Sequence, residues 1–138
     1  MNQFEGDVQL VLYHFALNSR SEIATQAALC AGEQGKFWEF HRMLYRRQAQ
    51  WNYLANPLDQ LLEFATGIEL DTAALKSCVK SDRMLKIIKA DQDYGRSLQV
   101  NSTPTLFVNN QRIVAAQSEA ELVRTIRREL TRARRTSS

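Results

Sequence analysis

The sequence predicts an α/β fold in which a block of helices is inserted between one early strand and a late β-hairpin. Three observations carry this. A short apolar, β-rich run lies at Val8–Phe15. Capped amphipathic helical patterns then fill about residues 19–99. Two short apolar runs follow, flanking Asn109-Asn110, and a last capped helix closes the pattern.

Val8–Phe15 (VQLVLYHF) is nearly continuous in apolar character, so a strand covered on both faces is expected. Asn18 and Ser19 break it. Ser19-Arg20-Ser21-Glu22 matches a capping box, and the helix it opens is expected to reach about Glu33 with Ile23, Ala27 and Cys30 in register. Gly32 and Gly35 bracket the next break. Lys36–Gln48 reads as a second helix with Phe37, Phe40 and Leu44 inward, and Trp51–Ala55 as a loop. Asn56-Pro57 places a cap before a proline, opening a helix that carries Leu58, Leu61, Leu62 and Ala65 and stops at Gly67.

Asp71 caps a helix through Lys80, and Ser81-Asp82 starts another that carries Met84, Ile87, Ile88 and Tyr94. Thr105–Val108 and Gln111–Val114 are the hairpin strands, since Asn tolerates the positive φ of a tight turn. Ser118-Glu119-Ala120-Glu121 is a second capping box. The last helix is expected to end near Arg132, leaving a frayed Thr131–Ser138 tail, with Leu122, Val123, Ile126 and Leu130 inward.

At 138 residues one domain is expected, 1–138. A hydrophobic fraction of 44% supplies a core, and no apolar run approaches the ~18 residues of a membrane span. Net charge is +3, and setting aside Arg132, Arg134 and Arg135 leaves 15 basic against 15 acidic residues. A neutral body points away from a nucleic-acid surface. The arginines at 124, 127, 128, 132, 134 and 135 read as a solvated helix face that suits a C-terminal dipole. Met1–Asp7 carries acids and no apolar h-region, so no signal peptide is expected.

Cys30 and Cys78 fit neither a metal motif nor Cys-x-x-Cys, so no metal site and no cofactor is expected. Read from the residues alone, they are either one disulfide or two buried thiols. His14 and His41 read as partly buried structural histidines, with no triad partner in view. Phe37, Trp38, Phe40, Tyr45, Trp51 and Tyr53 read as core aromatics. Pro104 by itself is an ordinary trans proline opening an edge strand.

The order of elements, with Ser102-Thr103-Pro104-Thr105-Leu106-Phe107-Val108-Asn109-Asn110, resembles the second half of a thioredoxin fold. Thr-Pro-Thr before an apolar strand is similar to the proline loop of the DsbA family. Ala27–Phe40 with His41-Arg42-Met43-Leu44 resembles the first inserted helices of the bacterial DsbA-like subgroup, and His14-Phe15-Ala16-Leu17 the end of its second strand. The resemblance covers about Phe4 to Leu130.

The resemblance implies a thiol–disulfide oxidoreductase acting on protein thiols or disulfides in extended form, in the periplasm or cell envelope. Without an export signal the chain itself would stay in the cytoplasm. The resemblance implies a cis Thr103–Pro104 bond, with Thr103 and Pro104 binding substrate backbone, and a structural bridge between Cys30 and Cys78. Family members open with a strand and a helix bearing Cys-x-x-Cys. Met1-Asn2-Gln3-Phe4 falls where that helix would end, so the first strand and helix are expected to be absent, by truncation or as a natural remnant. No catalytic residue is therefore assigned, and the chain is expected to be inactive by itself.

An absent central strand would leave Val8–Phe15 and Thr105–Val114 with open edges. A split sheet, direct pairing of Val8–Phe15 with Thr105–Val108, or strand exchange in a homodimer is expected. The alternative function is a non-catalytic module that binds a peptide or partner. A third is the related isomerase or glutathione-transferase branch, which also needs N-terminal residues not seen here.

Overall fold

A computed structural model describes residues 4–114 and 118–136. Met1–Gln3, expected at the end of a helix, and Ser137–Ser138 of the tail lie outside the described residues. The chain divides into two compact units, Tyr13–Gly95 and the pair of segments Met1–Leu12 with Arg96–Ser138.

The Tyr13–Gly95 unit is helical. α1 spans Ser19–Glu33, and its cap is one residue earlier than expected. Asn18 Oδ1 accepts from the Ser21 N–H at 3.0 Å, and Ser21 Oγ accepts from the Asn18 N–H at 3.1 Å. Asn18 is as good a cap as serine, and its amide reaches the third helical residue from outside the first turn. The buried side of α1 is built from Ala24, Ala27, Ala28, Cys30 and Ala31. Small side chains let neighbouring helices approach closely, and α1 packs on α2, α4 and α5. Close approach also explains Gly32, where an added Cβ would meet Phe37 Cβ at 3.3 Å. Gly35 turns the chain at φ +75°.

α2 spans Phe37–Arg46 and turns Phe40 and Leu44 into the core. The expected single helix to Gln48 breaks at Arg47, and a short α3 follows at Gln48–Trp51. Trp51 is thereby buried rather than in a loop, and its indole N–H donates to the Leu44 carbonyl at 2.9 Å. α4, Leu58–Thr66, begins one residue after Pro57, with Asn56 Oδ1 accepting from the Leu58 N–H. Leu58, Leu61, Phe64 and Ala65 face inward. α5, Thr72–Lys80, is capped by Asp71, whose Oδ1 accepts from the Ala74 N–H at 2.9 Å. α6 spans Leu85–Ser97 and buries Ile88, while Ile87 and Tyr94 are exposed.

The six aromatics read as one core cluster separate. Phe40 and Trp51 are buried, but Trp38, Tyr45 and Tyr53 are exposed. Trp38 and Tyr45 are seven residues apart, which puts them on one outer stripe of α2, and a helix buries only the stripe facing its neighbours.

In the second unit, β1 (Thr105–Val108) and β2 (Gln111–Val114) pair antiparallel with Thr105 opposite Val114. Asn109 takes the turn at φ 52°. Among the described residues these two strands are the whole sheet.

Val8–Phe15 is not a strand. Residues 8–17 form no ladder, and Leu10, Val11 and Tyr13 are about half exposed. A β-rich run becomes a strand only where a neighbour accepts its backbone, and among the described residues β1 pairs with β2 alone. Direct pairing with Thr105–Val108 does not occur.

α7 spans Glu119–Thr136. Ser118 opens it as expected: its N–H and Oγ bond Glu121 Oε2 at 3.0 and 2.8 Å, and Glu121 N–H returns to Ser118 Oγ. The Ser118 hydroxyl, then its N–H, holds the Glu121 carboxyl below its usual range. The helix passes the expected end at Arg132. Arg134 meets both Asp7 carboxylate oxygens at 3.1 Å and gives the last turn a partner that the sequence pattern does not reveal. Ile113, Ile126 and Phe4 are buried.

Candidate functional site

The candidate site is the loop that leads from α6 into β1. Gln99 leaves the helix at φ 58°, and Asn101, Ser102, Thr103 and Pro104 are exposed. The Thr103–Pro104 peptide bond is cis. Two side chains tie down the ends of the loop. Arg112 of β2 donates to the Leu98 carbonyl at 3.2 Å and to the Gln99 carbonyl at 2.5 Å. Its guanidinium lies 5.9 Å from the Phe107 ring centroid. Thr105 Oγ1 donates to the Ser102 carbonyl at 2.7 Å. Thr103 and Pro104 thus stand on a braced, solvent-facing loop beside a strand that, among the described residues, is paired on one edge only.

Cys30 and Cys78 belong to the helical unit. They are joined by a disulfide with Cα atoms 5.9 Å apart, linking α1 to α5. The bridge is buried, with the two residues 1% and 6% exposed. Glu33 Oε2 lies 3.7 Å from Cys78 Sγ. This is a contact and not a hydrogen bond, because a disulfide sulfur carries no proton. The same carboxylate pairs with Arg83. With both cysteines bridged, no thiolate is present to act as nucleophile.

The histidines are not isolated. His14 Nδ1 lies 2.6 Å from Asp91 Oδ2, and the His14 N–H donates to the same oxygen at 2.9 Å. His41 stacks on Phe37, with Trp38 and Tyr45 around it. Burial, then His14, then Arg42 pushes His41 below the ordinary imidazole range. The Asp91 partner lies 77 residues from His14, and no local signal announces it. Among the described residues no three His, Cys, Asp or Glu side chains gather to hold a metal ion. Among those residues no helix is long and apolar enough to cross a membrane.

A family model described as thioredoxin matches residues 2–128. The chain belongs to the thioredoxin family. It is 25% identical over 134 residues to disulfide bond formation protein D of Bacillus subtilis, covering 91% of this chain and 59% of that protein. With that relative, the match supports the DsbA-like form of the fold, with helices and, among the described residues, a small two-stranded sheet. The Na(+)/H(+) antiporter NhaA 1 of Salinispora arenicola is 35% identical over 92 residues, which is 67% of this chain and 13% of the antiporter. The protein of that name from Mycobacterium sp. (strain KMS) is 30% identical over 130 residues, 89% of this chain and 20% of the antiporter. The chain therefore spans a small fraction of these antiporters' length. No solved structure gives a significant match.

Proposed function

We propose that this chain is the substrate-presenting part of a DsbA-like thiol–disulfide oxidoreductase, and that it carries out no disulfide exchange by itself. The observation that supports this is the exposed Thr103–Pro104 loop, braced by Arg112 and Thr105 and running into a strand that has one unpaired edge among the described residues. An extended peptide binds such an edge through its backbone, and side-chain pockets contribute little to affinity. The Thr103 main chain is the first docking point. The chemistry needs a low-pKa thiolate, and the chain's two cysteines are both committed to a buried bridge. The reactive sulfur in this reading comes from outside these residues, from a Cys-x-x-Cys at a helix N-terminus. The Cys30–Cys78 bridge is structural, and the helical unit is the insertion of a single DsbA-like domain.

The test has two arms. Insulin reduction in the presence of dithiothreitol should run at the uncatalysed rate with this chain added. A reduced, unfolded protein added to the isotope-labelled chain should shift the amide signals of residues 101–108. Turnover above background, or shifts confined to residues outside that stretch, would overturn the reading.

The alternative is a non-catalytic module that binds a peptide or partner, and the fully bridged cysteines favour it. It predicts the same binding. It separates from the first reading when a strand–helix segment bearing Cys-x-x-Cys is supplied in trans: exchange activity appears only if the chain is part of an oxidoreductase. Strand exchange with a second copy would use the same β1 edge, and sedimentation velocity would then show a dimer.

A further inference from the structure

The segment ahead of α1 is held on the helical unit by side chains instead of a β-ladder. His14 is bound twice by Asp91 of α6, through its N–H and through Nδ1. Gln92 Nε2 donates to the Ala16 carbonyl at 2.8 Å. The rings of Tyr13 and Tyr94 lie 5.0 Å apart. On its other side the His14 ring stands edge-on to Phe37, at 5.9 Å and 89°. His41 lies against the same phenyl ring, at 5.6 Å and 24°. Phe37 therefore joins two imidazoles, and a single carboxylate, Asp91, serves one of them.

We propose that the His14–Phe37–His41 ring stack, with Asp91, is an acid-sensitive clasp that holds Tyr13–Leu17 on α6 near neutral pH and releases it in acid. The argument is one of charge and space. Asp91 Oδ2 is occupied twice by His14, so it has little to offer a second cation. Among the described residues no ion pair includes His41, and its neighbours are the rings of Phe37, Trp38 and Tyr45. The charged or titratable groups that act on it are His14 from the clasped segment and Arg42 from α2 itself. α1 and α4 also pack on α2, but they add no group that shifts His41. A proton on His41 thus places a cation in a half-buried spot beside one cationic side chain and one imidazole. His14 Nε2 is already buried without a hydrogen-bond partner, so this cluster is poorly solvated and offers a new charge little water.

The sign follows from linkage. In the native state burial, His14 and Arg42 hold His41 below 6.5, its ordinary value, so the released state takes up the proton first as pH falls. The clasp is intact above 6.5 and weakens as pH drops below it. Histidine is the side chain whose ordinary value falls in this window, and His41 is held below it, which makes His41 the switch. Release frees a β-rich stretch to pair with another strand.

The experiment is amide hydrogen exchange on the intact chain at pH 7 and pH 5, with protection factors corrected for intrinsic exchange, plus a histidine-detected NMR titration. The His14 N–H should be several-fold less protected at pH 5. His41→Phe should keep its protection at pH 5, and Asp91→Asn should lose it at both pH values. If His41→Phe does not fold, the titration decides by itself. A His41 midpoint at or above the free-imidazole value overturns the proposal. So does His14 protection that is independent of pH in the wild type, or equally pH-dependent in His41→Phe.

Discussion

Gln34 and the backbone of Asp71 hold each other twice. Gln34 Oε1 accepts from the Asp71 N–H at 2.9 Å, and Gln34 Nε2 donates to the Asp71 carbonyl at 3.2 Å. Gln34 is the C-cap of α1 and Asp71 the N-cap of α5, so one amide side chain fixes two helix ends against each other. Both bonds are solvent-exposed, and each is worth about 0.5–1 kcal/mol net. Gln34→Ala should cost about 1 kcal/mol in urea unfolding. Gln34→Glu should cost nearly as much, because a carboxylate loses the donor that faces the Asp71 carbonyl.

The same two helices are bridged by Cys30–Cys78, 48 residues apart in sequence. Closing a loop of that size restricts the unfolded chain by about 3–4 kcal/mol. The double variant Cys30→Ala, Cys78→Ala should lose that much stability at its urea midpoint while keeping its helical circular dichroism. Excess reductant should lower the wild type toward the same midpoint. A loss under about 1 kcal/mol would show that helix packing alone closes the loop.

Adjacent caps give a sharper comparison. Asn18, not Ser19, bonds the first turn of α1, and Ser21 returns the bond. Asn18→Ala should cost about 1 kcal/mol, and Ser21→Ala a comparable amount. Ser19→Ala should be nearly silent or slightly stabilising, since alanine favours the helix interior. The order of the three thermal midpoints checks the assignment.

The features legible in the sequence are those whose cause is local. Asp71, Ser118 and the Asn109 turn each act within a few residues, so spacing reveals them. Asn18 shows the limit of the rule: two capping residues stand side by side, and only the geometry says which one the helix uses. The Val8–Phe15 run fails for a different reason. Its residues suit a strand, but a strand is a property of a pair, and β1 pairs with β2 alone among the described residues. At the candidate site, the Thr103–Pro104 loop is legible only through the family resemblance. Nothing in the spacing points to the side chains that brace it, Arg112 and Thr105, because their acceptors lie outside their own strands.

Arg112 yields the prediction closest to function. Its guanidinium caps the Leu98 and Gln99 carbonyls, which α6 leaves exposed as it ends, and it stands opposite Phe107 of β1. The bracing depends on a planar fork that reaches two acceptors at once, and lysine lacks such a fork. Arg112→Lys and Arg112→Ala should therefore both loosen the loop, at a global cost of only about 1 kcal/mol because the site is exposed. Amide exchange should quicken at residues 98–105 and remain unchanged in α1, α4 and α5. If the loop is the docking site, both variants should also weaken binding of the unfolded protein probe, by more than their small effect on stability accounts for. Equal exchange rates in the wild type and Arg112→Ala would mean that the turn at Gln99 and the hairpin hold the loop without the guanidinium.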